Sequence, residues 1–249
     1  MSLTERIADF AAAMADGLQV EDLCVGVGYT CVRLSDDSGG LSYTFRHDLG
    51  ASCGVLQKAG SLTGMQAAEA IGWAGSRNLA AAAVGMATIN AVLNRRFSAG
   101  PNIAEALDCQ AEEVVGMVGY FCPLVWKFQK AKHLYIFERG RKAGSAGHAE
   151  ILPEEEEAAL LPECDIVVMT GTSFVNQTAD AILSCCSRAR EVIVVGASTP
   201  MCPEILRDAG VTVLAGTRVT DAAAAMRIAA QGGGGMDFSR ASMKLLERI

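Results

Sequence analysis

The sequence has no apolar run of about 20 residues, the length that a membrane-spanning helix needs. Residues 1–16 read as an amphipathic helix that contains Glu5, Arg6 and Asp9, so the long apolar segment of a signal peptide is missing. The nine cysteines are odd in number and include no CxxC pair, which favours reduced thiols over a disulfide framework. We therefore expect a cytoplasmic protein without a membrane partner.

Clustered positive charge is missing as well. The net charge is −7, and the 21 Lys and Arg residues are scattered along the chain. Nucleic-acid-binding proteins carry a basic patch or stripe, so this charge pattern argues against nucleic acid as the main partner. With 51% hydrophobic and 20% charged residues, the 249-residue chain is globular and long enough for one large domain or two modest ones.

The familiar catalytic motifs are also absent. There is no Ser-His-Asp order, no HExxH motif and no P-loop. Where a dinucleotide fold would have GxGxxG, the chain has Gly116 and Gly119 followed by the bulky Tyr120 and Phe121. A pyrophosphate needs bare backbone at that place, so the sequence argues against NAD. Whether the protein is an enzyme stays open.

Residues 1–98 predict an α+β domain. The pattern favours a helix over 2–15, an alternating strand over 20–34 and a hairpin partner over 41–47. Two further helices are predicted in MQAAEAIGWAG (65–75) and NLAAAAVGMATINAVLN (78–94). Strands followed by helices are typical of an α+β layer pair.

Residues 99–249 predict a second domain of α/β type, because short apolar runs alternate with helix-like segments. The five runs are EVVGMVGYF (113–121), HLYIFE (133–138), DIVVMTG (165–171), EVIVVGAS (191–198) and VTVLAG (211–216). We predict a five-stranded parallel sheet with the usual order 3-2-1-4-5. In that order the first and fourth strands flank the crevice in which ligands bind, beyond the carboxyl ends of the strands.

Polar side chains follow the predicted strand ends. The stretch 170–178, TGTSFVNQT, concentrates hydroxyls and an amide where a strand leads into a helix. One of these residues could be a helix N-cap and others could satisfy turn amides, but one helix needs only one cap. The candidate ligand-binding residues at the strand ends are Glu138, Thr172, Ser173, Asn176, Thr178, Ser198, Thr199, Pro200 and Asp221.

Glu138 has a more specific possible role. An acidic residue at the end of the second strand often binds a ribose, and Glu138 lies 19 residues after Gly119, a suitable distance. A surface ion pair with Arg139 or Arg141 is an equally simple explanation.

Two cysteines suggest a metal site. Cys122 and Cys202 each precede a proline, and they follow the first and fourth runs, which the predicted order makes neighbours. Two thiolates on adjacent loops would suit a soft metal ion, although buried and inert cysteine is the common alternative. Cys24 and Cys31 are predicted to lie on opposite faces of one strand, so we do not expect them to meet.

Several motifs together indicate a family. They are GSLTG (60–64), GMATINAVLN (85–94), TGTSFVNQT (170–178), GASTPMCP (196–203) and GVTVLAGTRVTD (210–221). With these motifs the chain resembles, over nearly its whole length, the putative heavy-metal chelation family of domain-of-unknown-function proteins. The resemblance implies an enolase N-terminal-like domain followed by a Rossmann-like domain.

The resemblance also implies a small ligand in a cleft between the domains, with heavy-metal binding as the function. The residues carried over to the cleft are Asn90, Thr172, Asn176, Thr178, Ser198, Thr199 and Pro200. For Asn90, a hydrogen bond between helices is the alternative. Hydroxyls and amides are poor ligands for soft metals, so the alternative function is an enzyme that acts on an anionic or nucleotide-like substrate in the same cleft. The sequence does not identify the ligand, and a transition or heavy-metal ion is one candidate. It is also compatible with a homo-oligomer.

Overall fold

The structure is a computed structural model that describes residues 1–50, 53–139 and 144–249. It is a mixed α/β fold with a three-stranded antiparallel sheet in the N-terminal part and an eight-stranded mixed sheet in the C-terminal part. Within the described ranges, no helix combines the length and the hydropathy needed to cross a membrane.

The first helix, α1 (Leu3–Ala13), lies where the sequence predicts it. A capping box begins it: Ser2 Oγ accepts from the Glu5 amide at 3.2 Å, and the Glu5 carboxylate accepts from the Ser2 amide at 2.7 Å. The helix buries one apolar face, which includes Leu3, Ile7 and Ala11.

The prediction of one strand over 20–34 is wrong. This segment forms two antiparallel strands, β1 (Val20–Val25) and β2 (Tyr29–Leu34), and β3 (Gly39–Tyr43) completes the sheet in the order β1-β2-β3. The turn falls at Gly26, where the sheet meets another backbone, since a Cβ there would lie 2.2 Å from the Ala229 carbonyl oxygen. The alternating sequence pattern continues through the turn, so the pattern alone predicts one strand and not two.

The two cysteines of this segment therefore meet. Cys24 and Cys31 are directly opposite each other across β1 and β2, so the prediction that they lie on opposite faces is wrong. Burial raises the pKa of the Cys31 thiol to about 12, and the neighbouring Cys24 and Asp22 add to the effect.

Two helices complete the N-terminal part, α2 (Ala67–Ile71) and α3 (Leu79–Leu93). Helix α3 is buried on almost every side, and its small residues let other backbones come close. A Cβ on Gly85 would lie 2.2 Å from the Ala74 amide nitrogen, and a Cβ on Gly40 of β3 would lie 2.0 Å from the Ala87 carbonyl oxygen. Helix α3 is therefore held tightly between β3 and the turn after α2.

The strands of the C-terminal part are, in chain order, β4 (Val114–Val118), β5 (His133–Phe137), β6 (Gly144–Ala146), β7 (Ala149–Leu152), β8 (Ile166–Thr170), β9 (Glu191–Val195), β10 (Val213–Ala215), β11 (Thr217–Val219), β12 (Ser242–Lys244) and β13 (Glu247–Arg248). Strands β11 and β12 pair with each other, and the others form the large sheet in the order β13-β10-β9-β8-β4-β5-β7-β6. All five predicted runs are strands, β4, β5, β8, β9 and β10, and neighbours among them are parallel. The sheet is wider than predicted, because β7 adds a parallel strand and the antiparallel β6 and β13 form its edges.

The predicted strand order is wrong. The five strands have the order 2-1-3-4-5, so β8 separates the first strand, β4, from the fourth, β9. The point at which the strand order reverses, where open α/β sheets bind ligands, therefore lies between β4 and β8.

Helices cover both faces of the large sheet. They are α4 (Ile103–Ala106), α5 (Cys122–Lys127), α6 (Glu157–Leu160), α7 (Ala179–Ser184) and α8 (Pro203–Leu206), whereas α9 (Ala222–Ala230) packs on the three-stranded N-terminal sheet. Leu124 and Val125 of α5 pack on one face. On the other face, side chains of α7 and α8 join those of α1, α2 and α3 in one apolar core. The N-terminal and C-terminal parts therefore share a core.

We predict that Gly85→Ala destabilises the protein. Helix propensity alone would favour alanine by about 1 kcal/mol. The new methyl group would meet the Ala74 backbone at 2.2 Å, however, and overpacking of this kind costs about 1–3 kcal/mol or more. The urea midpoint should fall. Gly72→Ala is the control, since nothing lies within 4 Å of its Cβ position. A higher midpoint for Gly85→Ala would contradict the packing described.

Candidate functional site

Helix α3 carries two asparagine side chains into the contact between the two parts. Asn90 is 1% exposed, and its Nδ2 donates to the Leu41 carbonyl at 2.9 Å and to the Ala197 carbonyl at 3.3 Å. Leu41 belongs to β3 and Ala197 to the loop after β9. The side chain therefore ties the N-terminal part to the loop at the end of a central strand.

Asn94, which the sequence analysis did not identify, forms a second tie. Its Nδ2 donates to the carbonyls of Thr199 (3.2 Å) and Thr217 (3.0 Å), and its Oδ1 accepts from the Met201 amide (3.0 Å). The signal was present in the sequence, since Asn94 follows Asn90 by four residues and lies on the same side of an apolar helix.

The predicted cleft residues after β9 lie inside this contact. Ser198 Oγ accepts from the Tyr43 amide at 2.8 Å, and Ser198, Thr199 and Pro200 are all buried. Among the described residues, the buried side-chain oxygens without a protein partner are Ser42 Oγ, Asn90 Oδ1, Thr199 Oγ1 and Thr217 Oγ1. The structure thus brings together Asn90, Ser198 and Thr199, but in a closed polar contact rather than on an open surface.

The loop after β8 remains at the surface of this contact. Thr170 Oγ1 and Thr172 Oγ1 are 3.0 Å apart, and both residues are half-buried. Between them, Gly171 has no room for a side chain, because a Cβ would lie 2.5 Å from the Thr199 amide nitrogen. Ser173 is buried. Of the two predicted residues directly after β8, Thr172 is therefore the half-buried one and Ser173 the buried one.

Three other predicted residues have local structural roles. Asn176 Oδ1 accepts from the Thr178 amide (3.3 Å) and from its hydroxyl (2.8 Å). Gln177, between them, donates to the Ala74 carbonyl at 2.8 Å, so this turn faces the N-terminal helices. Asp221 is the N-cap of α9 and accepts from the Ala224 amide at 2.8 Å. Asp221 therefore caps a helix and Asn176 stabilises a turn, whereas Thr178, the residue before α7, makes no side-chain capping bond.

Glu138 joins the ends of the first two strands. Its Oε2 accepts from the Tyr120 amide at 2.7 Å. Arg139, one of its suggested partners, forms ion pairs with Asp48 (2.9 Å) and Glu154 (3.8 Å). Arg141, the other, lies outside the described residues.

A segment of the N-terminal part crosses the edge of the large sheet. Tyr43 is bonded to Ser198 after β9, and Asp48 is paired with Arg139 after β5. Strands β8 and β4 lie between β9 and β5 in the sheet, which makes the span about 14 Å at the usual strand spacing. Residues 44–47 therefore pass the ends of β8 and β4. The candidate site is the region between this crossing segment (residues 43–48) and those two strand ends.

The predicted metal pair does not form. Cys122 is exposed at the start of α5, whereas Cys202 is fully buried beside α8, and the two helices cover opposite faces of the sheet. Burial raises the pKa of the Cys202 thiol to about 12. The described residues contain no group of three or more His, Cys, Asp or Glu side chains that could hold a metal ion.

Two cavities lie away from the strand ends. One, of about 460 Å³, is lined by Leu23, Val25 and Leu62, and the other, of about 310 Å³, by Lys58, Glu69 and Trp73. Both border the loop around Leu56. Among the residues that the structure describes, their linings contain no group of three or more His, Cys, Asp or Glu side chains that could hold a metal ion. We therefore take the strand ends as the stronger candidate.

The fold and the site define a two-part mixed α/β protein whose polar residues gather at the carboxyl edge of its large sheet. Residues 102–247 match the DUF364 family and residues 7–93 match DUF4213, and both families carry the description "Putative heavy-metal chelation". The first match spans more than half of the chain, so the chain belongs to the DUF364 family. The resemblance seen in the sequence is thereby confirmed.

The chain is also similar to individual proteins, one by sequence and two by structure. An uncharacterized protein of Methanocaldococcus jannaschii is 30% identical over 182 residues, which is 71% of this chain and 69% of the relative. A DUF364 protein of unknown function from Pyrococcus horikoshii has a TM-score of 0.84 at 24% identity, covering 99% of this chain and 100% of that one. Another from Desulfitobacterium hafniense has a TM-score of 0.79 at 24% identity, covering 99% and 98%. At this identity the two structures show a shared fold.

We predict that Asn94→Ala strongly destabilises the protein. The change leaves two carbonyls and one amide without their partner, and a buried group left unpaired costs about 1–3 kcal/mol. Denaturant unfolding should report a loss of about 3 kcal/mol or more. Asn102→Ala is the matched control, because Asn102 only caps α4 and cap loss costs about 1 kcal/mol. Equal losses in the two variants would contradict the role of Asn94.

Proposed function

We propose that this protein binds a small organic ligand at the carboxyl edge of the large sheet, beneath the crossing segment. Heavy-metal chelation, the role named in the family description, would then proceed through an organic ligand that carries the metal ion. The supporting observation is the path of residues 43–48, which are fixed after β9 and after β5 and pass the ends of β8 and β4.

The chemistry at this edge supports an organic ligand over a bare metal ion. The available groups are the Thr172 hydroxyl, the Glu138 carboxylate and backbone amides, which suit hydroxyl and carboxylate groups of a ligand. Soft metal ions prefer thiolate or imidazole donors. A metal bound as a carboxylate complex would meet hydroxyl and amide groups through its organic shell.

The same proposal takes the C-terminal part as Rossmann-like and the N-terminal part as enolase N-terminal-like. The parallel strands β7, β5, β4, β8, β9 and β10 support the first assignment. An antiparallel three-stranded sheet followed by α2 and α3 supports the second.

One observation favours the alternative, an enzyme that acts on a nucleotide-like substrate. Glu138 lies at the end of the second strand, next to the strand at which the order reverses, where an acidic residue can bind a ribose. Its Oε2 is engaged by the Tyr120 amide, which would orient the other oxygen toward a hydroxyl.

Three probes test the proposal: citrate, citrate with Ni²⁺, and AMP. We expect at least one to raise the melting temperature of the wild type, with Kd measured by calorimetry. Thr172→Val and Glu138→Gln should each weaken binding about tenfold, or ~1.4 kcal/mol, because each removes one polar contact with little change in shape. Glu138→Gln retains an oxygen that can accept from the Tyr120 amide.

Asp221→Asn is the control, since the asparagine still caps α9, a helix that packs on the N-terminal sheet and not on the loops after β4 and β8 that form the proposed site. A Kd unchanged by both site variants, or no binding of any probe, would refute the site. Binding of AMP alone, lost in Glu138→Gln, would favour the enzyme alternative.

A further inference from the structure

The facing cysteines of β1 and β2 form a pair of soft donors on one side of the N-terminal sheet. The Gly26 amide donates to the Tyr29 carbonyl, and Cys24 and Cys31 are paired two residues further along the same two strands. Because hydrogen-bonded and non-hydrogen-bonded pairs alternate in an antiparallel ladder, Cys24 and Cys31 are also a hydrogen-bonded pair. Residues opposite each other in such a pair are about 5.5 Å apart at Cα. Cys31 is 0% exposed and Cys24 is half-buried, which leaves one side of the pair open to an entering ion.

Helix α9 packs along this face, and one close contact near each end of the helix fixes its position. A Cβ on Gly39 would lie 3.1 Å from Ala222 Cβ, and a Cβ on Gly26 would lie 2.2 Å from the Ala229 carbonyl oxygen. Gly39 is opposite Arg33 of β2, and Gly26 is bonded to Tyr29 of the same strand. The middle of α9 therefore lies level with the middle of β2, which is Cys31.

Two residues of α9 lie at that level: Ala225, which is fully buried, and Met226, which is half-buried. Met226 lies between Ala222 and Ala229, and it packs against the same apolar cluster that contains Cys31 and is contacted by Cys24. Its thioether is a further soft donor on the helix that covers the pair. Other members of the cluster are apolar: Leu41, Val219, Ala225 and Phe238.

We infer that Cys24, Cys31 and Met226 form a binding site for a soft monovalent metal ion, for which Cu(I) is the best fit. Thiolate and thioether sulfur select Cu(I), whereas hard ions such as Mg²⁺ and Ca²⁺ require oxygen ligands. On binding, each thiol loses its proton to solvent, two metal–sulfur bonds to thiolate form, and the ion remains Cu(I). The side chains packed around the pair are mostly apolar, which disfavours strongly hydrated ions, and the Asp22 carboxylate is the charged group near both thiols.

This site is separate from the sheet edge at which the organic ligand is proposed to bind. The donors lie on β1, β2 and α9, whereas the ligand site is formed by the loops after β4 and β8. Failure of one proposal therefore leaves the other standing. Cu(I) binding should be unaffected by Thr172→Val, and citrate or AMP binding should be unaffected by Met226→Leu.

The test is an anaerobic titration of the full chain with Cu(I), in competition with bicinchoninate and under reducing conditions. We expect one tightly bound Cu(I) that Cys24→Ser weakens by about 100-fold and Met226→Leu by about tenfold. X-ray absorption at the copper edge should show sulfur ligands only. Both variants alter half-buried positions, so their folding is checked by melting temperature, and neither test depends on replacing the fully buried Cys31.

Cys122→Ser is the control, because Cys122 is exposed at the start of α5 and should not contribute. Wild-type affinity in a folded Cys24→Ser variant would overturn the inference. So would an equal loss of affinity in Cys122→Ser, or oxygen and nitrogen ligands at the copper edge.

Discussion

The packing of the N-terminal part against the C-terminal part depends on two buried amide side chains, Asn90 and Asn94. Asn90 lies on α3 and Asn94 directly follows it, among alanine, valine, isoleucine and leucine, where an unpaired amide is costly. Their partners are backbone groups of β3, of the loop at 197–201 and of Thr217, the first residue of β11. Since most of those groups belong to the C-terminal part, the Asn94 side chain and the second bond of Asn90 find their partners only when the two parts are docked.

The same contact positions the candidate site. The carbonyl of Leu41 bonds to Asn90, and two residues later the Tyr43 amide bonds to Ser198, so the end of β3 is fixed against the loop after β9. The chain then runs to Asp48 and its ion pair with Arg139. A ligand region at the ends of β4 and β8 is thus bounded by both parts of the chain, and its geometry depends on how α3 packs.

Local patterns in the sequence predicted α1, α3 and the five central strands, because periodicity and apolar runs reflect burial directly. The order of the strands could not be predicted, since it depends on which face each connection crosses. The strands β6 and β13 are too short for a pattern to be visible. Cys24 and Cys31 were misplaced because the turn at Gly26 interrupts an otherwise continuous alternation. Of the candidate site residues, Asn90 came from the family resemblance and Thr172 from residue type, and their role in ligand binding stays a prediction. The hydrogen bond from Asn90 to Leu41, 49 residues away along the chain, could not be predicted, because no local pattern shows which distant backbone group an amide will meet.

The central claim is that the polar contact around α3 makes the two parts one cooperative unit. Native-state hydrogen exchange tests it most directly, at the amides of Tyr43 and Met201, whose acceptors lie in the opposite part. The account predicts that both amides exchange only through global unfolding, with an opening free energy within about 1 kcal/mol of the unfolding free energy measured by denaturant. Exchange of either amide at a free energy several kcal/mol lower, while the β8 and β9 amides stay protected, would show that the parts separate independently and would contradict it.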